Sequence, residues 1–235
     1  LEPKRTIIVA GHSFEAVSAA ARAEDPEVEI ALQETQMGTG HAVNQARAAL
    51  GDFDGTVIVL YGDCPLIQSR TLEELNASLS DSAVSVLGFE AKDPARYGRL
   101  ITDGDKLKRI VEFKDASPAE RAVTLCNSGV MAAPAGLLFD LLSEIDANNA
   151  SGELYLTDVV GKAVARGLQC AAVRCAERET LGVNSRAELM QAEKEFQKLR
   201  RAEALEDGIS MPAPETVHFS YDTVIGRDTI IEQNV

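Results

Sequence analysis

The sequence predicts an α/β fold in which a mostly parallel sheet carries helices on both faces. Short aliphatic runs alternate along the chain with Ala- and Leu-rich segments of helical period, and this order is typical of that class. Residues 56–60 have the composition of a buried strand that ends at Tyr61, Gly62 and Asp63, shortly before Pro65. Ligands of open α/β sheets bind where strands end, so this turn predicts a ligand site.

The elements follow one another with little chain between them. Aliphatic and β-branched runs predict strands at residues 6–10, 28–32, 56–60, 83–89, 107–111, 125–131 and 169–174. Helical periodicity predicts helices at residues 14–22, 41–50, 135–145 and 156–166. A capping-box spacing between Thr71 and Glu74 indicates that a further helix opens there. We therefore expect a sheet of six or seven strands.

The pattern changes at Ser185, where a second capping-box spacing with Glu188 predicts one long linker helix that Gly208 ends. In residues 223–235 aliphatic side chains recur about every six residues. That spacing indicates the start of a β-helix, with a plain β-hairpin as the alternative. The predicted organisation is a globular domain at 1–184, a linker helix at 185–208 and the start of a second domain at 209–235.

Composition narrows the class of protein. The chain of 235 residues has 23 Lys and Arg against 37 Asp and Glu, a formal net charge of −14, which opposes binding to nucleic acid or to an anionic membrane. No apolar run approaches the roughly 20 residues of a membrane span, and the printed start is not a signal peptide. The four cysteines form no Cys-x-x-Cys pair and predict reduced thiols in a cytoplasmic protein. A phosphate ligand of so acidic a chain would need a divalent cation.

Two glycine-containing segments are candidates for binding. Gln33 precedes Gly38-Thr39-Gly40 at a strand-to-helix junction, where bare backbone amides suit a planar or anionic ligand and the Gln33 amide suits the edge of a base. A tight turn with Thr39 as helix N-cap is the alternative. Asp63 offers hard oxygens to a cation beside Gly62, which admits a ligand close to the backbone, although both residues are also common in ordinary turns.

Seven motifs in order carry a resemblance to a known family. They are Gln33 through Ala42, Leu60 through Leu66, Tyr97-Gly98-Arg99, Val111-Glu112-Phe113-Lys114-Asp115, Asn127-Ser128-Gly129, Gly152-Glu153-Leu154-Tyr155-Leu156-Thr157-Asp158 and Gly182-Val183-Asn184. The chain resembles the uridyltransferase half of bacterial bifunctional N-acetylglucosamine-1-phosphate uridyltransferase/glucosamine-1-phosphate acetyltransferases. The resemblance implies a Rossmann-like nucleotidyltransferase sheet at 1–184, and a left-handed parallel β-helix that begins at 209–235.

The resemblance also implies roles for individual residues. Those matching the family's nucleotide-binding positions are Gln33, Gly38, Thr39, Tyr61, Gly62 and Asp63, and those matching its sugar-binding positions are Gly98, Glu112, Asn127 and Asn184. Tyr155 and Thr157 match positions near the sugar. Asp63 and Asn184 match the Mg²⁺ ligands, whereas the position of Asn184 before the long helix by itself favours a helix cap, and only the resemblance reverses that interpretation.

The reaction implied is transfer of UMP from UTP to N-acetylglucosamine 1-phosphate, which gives UDP-N-acetylglucosamine and pyrophosphate and uses Mg²⁺. No residue is assigned as a general base, because the attacking phosphate is already ionised. Another sugar-1-phosphate nucleotidyltransferase and a non-catalytic sugar-nucleotide-binding fragment are the alternatives. A homotrimer is expected for full-length family members.

The chain departs from the family pattern at both ends. The family's first strand leads into a Gly-rich loop, Leu-Ala-Ala-Gly-x-Gly-Thr-Arg, which supplies phosphate-binding groups and has no match here; Pro3-Lys4-Arg5 precedes a strand and does not replace it. A molecule without that loop is expected to turn over slowly. Acetyl transfer is not expected, because the printed chain reaches only the start of that domain.

Overall fold

The computed structural model describes residues 2–235. Contacts divide the chain into two compact units, of which the larger comprises the residues up to Tyr61 together with Ile67–Glu177 and the smaller comprises Gly62–Leu66 and Arg178–Val235. No helix formed by residues 2–235 combines the length and apolarity needed to cross a membrane.

The larger unit contains eight strands and seven helices in an alternating order. The strands are β1 (Ile7–Ala10), β2 (Glu29–Leu32), β3 (Thr56–Val59), β4 (Val84–Glu90), β5 (Arg99–Asp103), β6 (Lys106–Val111), β7 (Leu125–Pro134) and β8 (Cys170–Cys175). The helices are α1 (Phe14–Glu24), α2 (Thr39–Gln45), α3 (Arg47–Leu50), α4 (Ser69–Ala77), α5 (Pro118–Arg121), α6 (Ala135–Leu142) and α7 (Asp158–Ala165).

The main sheet has six strands in the order β3-β7-β4-β8-β6-β5, and β1 and β2 form a separate parallel pair. The predicted mostly parallel sheet is wrong. Only the β4–β8 pair of the main sheet is parallel, because β7 runs antiparallel to both β3 and β4, and β6 runs antiparallel to β5 and β8. Alternation of strands and helices in a sequence predicts the class of fold but not the direction in which each strand enters the sheet.

Helices cover both faces of this sheet, as predicted. Val84 and Val86 of β4 belong to the larger core, with the apolar side chains of α6 and α7. Leu87 of the same strand packs in a second core with Leu75 of α4 and Val130 of β7. This alternation follows from the two-residue period of a strand, which sends successive side chains to opposite faces.

Three local predictions need correction. Strand β5 was not predicted, although the Asp103-Gly104 pair that turns it into β6, with φ of +60° at Gly104, is a recognised hairpin signal. Helix α4 begins at Ser69 after Gln68, so Thr71 lies buried inside the helix instead of capping it. The helix predicted at 41–50 is two helices that meet at Ala46.

The smaller unit is built on one helix, α8 (Arg186–Glu206), which confirms the predicted helix in this region. The Ser185 hydroxyl accepts a hydrogen bond from the Glu188 amide (3.2 Å) at its start, and Gly208, with φ of +90°, follows its end. Beyond the helix Ser210 and Ile230 form an isolated parallel bridge. The start of a β-helix stays a prediction, as do the domain boundaries.

Candidate active site

The candidate base-binding loop of the larger unit joins β2 to α2 and packs against residues 154–156. The Gly40 amide donates to the Leu154 carbonyl (2.8 Å), and the Leu154 amide donates to the Met37 carbonyl (2.8 Å). The Thr39 hydroxyl accepts a hydrogen bond from the Leu156 amide (3.0 Å). The loop is therefore fixed by a segment more than a hundred residues away along the chain.

This packing changes the interpretation of the two glycines. A Cβ atom on Gly38 would lie 2.6 Å from the Leu154 carbonyl oxygen, and φ of Gly38 is +110°. Gly38 is thus required by the close approach of another backbone. A Cβ atom on Gly40 would first meet the side chain of Ile145 (2.5 Å), and the Gly40 amide is already used within the protein. The alternative of Thr39 as N-cap is wrong, because Gly38 occupies the N-cap position of α2 and Thr39 is its first residue.

Gln33 is the buried polar residue of this loop, with 8% of its surface exposed. Its side-chain nitrogen Nε2 donates to the Gly38 carbonyl (3.2 Å) and lies 2.9 Å from Nδ1 of His41. A buried amide that is held at two points has a defined orientation, so Gln33 is suited to recognise one pattern of donors and acceptors on a ligand.

Three of the predicted sugar-binding residues lie together where three strands meet. Gly98 precedes β5, Glu112 follows β6 and Asn127 belongs to β7, and Arg99 pairs with both Val111 and Cys126. The backbone amide of Asn127 donates to the Gly98 carbonyl (2.9 Å). A Cβ atom on Gly98 would lie 3.3 Å from both carboxylate oxygens of Glu112 and 3.5 Å from Cβ of Asn127. The structure therefore brings together residues that are up to 29 positions apart in the sequence.

The Glu112 carboxylate lies in a partly buried, acidic setting. Burial raises its pKa, and the charges of Asp158 and Asp115 act in the same direction, while a hydrogen bond from the Thr157 hydroxyl (3.1 Å) opposes the rise. An acceptor in such a setting is poised to receive hydrogen bonds from hydroxyl or amide groups of a ligand. Thr157, which the family resemblance places near the sugar, directly contacts this carboxylate.

A cavity of about 300 Å³ adjoins this carboxylate. It is lined by Arg96, Glu112, Phe113, Lys114, Ser151 and Tyr155. Lys114 donates to the Ser151 hydroxyl (2.9 Å). The combination of an aromatic ring, hydroxyl groups and charged side chains suits a polar ligand of hexose size. Sequence analysis did not single out Arg96 or Ser151, because isolated polar residues in loops carry no spacing signal.

Arg99 is a structural residue of this site that sequence analysis missed. It is 2% exposed, and its guanidinium donates to the backbone carbonyls of Ala95 (3.2 Å), Arg121 (3.3 Å) and Tyr97. A buried arginine whose terminal nitrogens donate to three backbone carbonyls fixes the backbone that supplies them. Arg99 therefore holds the turn at residues 95–97, which precedes Gly98, against the segment that contains Arg121.

The Tyr61 ring rests on Gly129. A Cβ atom on Gly129 would lie 2.4 Å from Cε2 of Tyr61, and φ of Gly129 is +87°. The register between β4 and β7 shifts close to this point, between Val86 and Gly88. Irregularities of this kind re-aim side chains at sheet edges, and here the glycine makes room for the ring at the end of β3.

The candidate metal centre is contained in the smaller unit. The Val183 amide donates to the Asp63 carbonyl (2.8 Å), which holds Asp63 beside the segment that carries Asn184. A Cβ atom on Gly182 would lie 3.5 Å from Oδ2 of Asp63 and 3.6 Å from Nδ2 of Asn184. The two side chains thus border one open space, which the missing side chain of Gly182 leaves clear.

Asn184 does not cap α8. The N-cap of α8 is Ser185. The Glu188 carboxylate accepts hydrogen bonds from the backbone amide of Asn184 (2.8 Å) and from the Ser185 hydroxyl (3.0 Å). Capping is therefore performed by Ser185 with Glu188, and the side chain of Asn184 is not needed for it. These bonds also lower the pKa of Glu188.

The oxygen donors at this centre fit a hard cation that takes only one or two of its ligands from the protein. Residues 2–235 contain no cluster of three or more His, Cys, Asp or Glu side chains able to hold a metal ion. Mg²⁺ commonly takes one or two protein oxygens and completes its shell with water and substrate phosphates. Asp63 supplies a carboxylate, and Asn184 supplies its Oδ1 once the amide turns by 180° about its terminal bond.

Comparison with known proteins gives the following relatives. The nucleotidyl transferase family matches residues 3–178. The bifunctional protein GlmU of Roseobacter denitrificans is 57% identical over 235 residues, which are all of this chain and 52% of that protein. Its counterpart in a Ruegeria species is 57% identical over 228 residues, which are 97% of this chain and 51% of that protein. The chain spans about half the length of the curated relatives it matches, and they confirm the resemblance that the ordered motifs predict.

Solved structures with this architecture are more distant in sequence. A nucleoside-diphosphate-sugar pyrophosphorylase from Vibrio cholerae has a TM-score of 0.58 at 13% identity and covers 79% of each chain. A UDP-glucose pyrophosphorylase complexed with UDP-glucose has a TM-score of 0.60 at 17% identity, covering 83% of this chain and 81% of that one. These similarities confirm the predicted Rossmann-like α/β fold.

Proposed function

The chain belongs to the nucleotidyl transferase family, and on that premise we propose that it transfers UMP from UTP to N-acetylglucosamine 1-phosphate, giving UDP-N-acetylglucosamine and pyrophosphate. The observation that carries this proposal is the convergence of Gly98, Glu112 and Asn127 beside the 300 Å³ cavity. The identity of 57% with bifunctional GlmU proteins over the whole chain supports the same substrates.

The chain's own residues would bind and orient the two substrates. Gln33, Thr39 and Tyr61 of the larger unit would contact the nucleotide. Glu112 would accept hydrogen bonds from sugar hydroxyls. The side-chain amide of Asn127 would contact the sugar or its N-acetyl group. Such positioning supplies much of the acceleration in phosphoryl-type transfers, since the attacking phosphate needs no general base.

Asp63 and Asn184 would hold a divalent cation, which we propose to be Mg²⁺. When bound, that ion neutralises charge on the transferring phosphates. The protein's contribution is to fix the Asp63 carboxylate beside Asn184 through the Val183 amide, and to keep the space over Gly182 open. A counter-charge reduces the repulsion between triphosphate and sugar phosphate, and the net charge of −14 of the chain adds to the need for it.

We also propose that residues 1–184 form the transferase domain, that α8 links it to a following domain, and that residues 209–235 begin a β-helix. The length and caps of α8 support the linker role. The trimeric assembly expected for full-length relatives and their acetyl transfer lie outside what this chain is proposed to do by itself.

The proposal is tested by mixing the 235-residue chain with UTP, Mg²⁺ and N-acetylglucosamine 1-phosphate and measuring release of pyrophosphate. We expect release only when all three are present, slow in a molecule without the Gly-rich loop, and we expect its loss in Asp63→Ala with an unchanged circular dichroism spectrum. Equal rates with glucose 1-phosphate would favour a different sugar-1-phosphate nucleotidyltransferase. Binding of UDP-N-acetylglucosamine in calorimetry without turnover would favour a non-catalytic sugar-nucleotide-binding fragment.

A further inference from the structure

The imidazole of His41 lies between two glutamine side chains in the base-binding loop. Its Nδ1 is 2.9 Å from Nε2 of Gln33, and its Nε2 is 3.2 Å from Nε2 of Gln45. His41 lies in the first turn of α2, three residues after Gly38. The ring is therefore the only side chain that bonds the buried Gln33 amide in residues 2–235, and its protonation decides which bonds that amide can make.

Each glutamine amide is oriented by a backbone carbonyl. Nε2 of Gln33 donates to the Gly38 carbonyl (3.2 Å), and Nε2 of Gln45 donates to the carbonyl of His41 itself (3.0 Å). A carbonyl oxygen only accepts hydrogen bonds, so the NH₂ end of each amide must face it. Both ring nitrogens of His41 consequently meet NH₂ groups.

A neutral imidazole has one acceptor nitrogen, so it can accept a hydrogen bond from only one of these amides. The contact with Gln33 is the shorter, and Gln33 is 8% exposed while Gln45 is less buried. An unmade hydrogen bond costs more at the buried partner. Nδ1 therefore accepts from Gln33, and the ring proton is on Nε2.

We propose that His41 is a positioning residue that sets the base preference of the site by fixing the Gln33 amide. Both NH₂ hydrogens of Gln33 are used inside the loop, so the amide offers a ligand only its oxygen Oε1. An oxygen accepts from the N3–H of uracil and repels the N3 lone pair of cytosine. This inference rests on the proposed function, because it assumes that Gln33 contacts the base.

The test measures the affinities of UTP and CTP for the 235-residue chain by titration calorimetry. Wild type is expected to prefer UTP. In His41→Leu the 2.9 Å bond to Nδ1 is lost and only the longer bond to the Gly38 carbonyl (3.2 Å) still orients the Gln33 amide. We therefore expect the UTP-to-CTP preference to fall about fivefold. In His41→Asn, Oδ1 replaces Nδ1 as acceptor and should restore the preference to within about twofold. Asn44→Leu, on an exposed position of the same helix, should leave it unchanged.

A preference in His41→Leu equal to that of wild type would overturn this inference and leave the proposed function standing. A wild-type chain that binds neither nucleotide would overturn both. A separate measurement needs no variant and no ligand, because ring ¹⁵N chemical shifts of His41 distinguish its tautomers. A proton on Nε2 supports the inference, and a proton on Nδ1 refutes it even if His41→Leu fails to fold.

Discussion

Replacing Gly182 by alanine should separate cation binding from folding. The new Cβ atom would lie 3.5 Å from Oδ2 of Asp63 and 3.6 Å from Nδ2 of Asn184, which are ordinary van der Waals distances, and Gly182 does not have a left-handed backbone. The substitution therefore adds no strain and restricts the unfolded chain, so we expect it to stabilise the protein by about 0.4–1 kcal/mol.

The same methyl group lies between the two proposed ligands. Octahedral Mg²⁺ places six oxygens at about 2.0–2.1 Å and retains several waters. A methyl group 3.5 Å from Oδ2 of Asp63 and 3.6 Å from the end of the Asn184 amide would take up space that a hydrated cation held by these two side chains would need. We expect cation affinity to fall at least about tenfold, which corresponds to about 1.4 kcal/mol.

Affinity is measured by titrating Mn²⁺, followed by electron paramagnetic resonance, into wild type, Gly182→Ala and Gly226→Ala. Gly226 lies in the same unit with open space around its Cβ position, so its alanine variant is the matched control. Unchanged Mn²⁺ affinity in Gly182→Ala would refute a cation shared by Asp63 and Asn184. A lowered melting temperature would refute the packing argument itself.

Three further substitutions have defined outcomes. Gly129→Ala meets the Tyr61 ring at 2.4 Å with φ of +87°, so calorimetry should show a loss of about 2–4 kcal/mol; no loss would contradict the ring contact. Gly38→Ala meets the Leu154 carbonyl at 2.6 Å, and faster hydrogen exchange of the Leu154 amide is expected, whereas unchanged protection would contradict the docked loop. Burial raises the pKa of Glu112, so its ionised form lowers the stability of the protein near neutral pH. Glu112→Gln should therefore raise the melting temperature by about 2 °C at pH 7. This gain should disappear at acid pH, where the carboxyl of the wild-type protein is protonated.

Much of the secondary structure was predictable because its signals are local. Ser185 and Glu188 are three residues apart and form the predicted cap of α8, and Gly208 follows the end of that helix as predicted. The Thr71–Glu74 spacing is equally local, yet the N-cap of α4 is Gln68, three residues before Thr71, and Thr71 is buried inside the helix. A local signal fails where tertiary packing favours a different start.

The candidate site was predictable as a set of residues but not as an arrangement. Sequence interpretation treated the amides around Gly38 and Gly40 as open to a ligand, whereas Gly40 bonds Leu154. Arg99 is the last residue of the Tyr97-Gly98-Arg99 motif, but only its burial and its bonds to backbone carbonyls reveal that it fixes the turn before Gly98. Such roles depend on neighbours that a linear pattern does not specify.

The sequence by itself determined the α/β class, the ordered motifs of the family and the order of strands and helices apart from β5 and α5. It did so because the hydrophobic period, the helix caps and the turn residues act within a few positions. Only the tertiary structure decided that β7 runs antiparallel between β3 and β4, that Thr39 receives the Leu156 amide across 117 positions, and that Gly98 faces Glu112. These features depend on packing between distant segments, whose free energy is set by shape and burial and is not encoded in spacing along the chain.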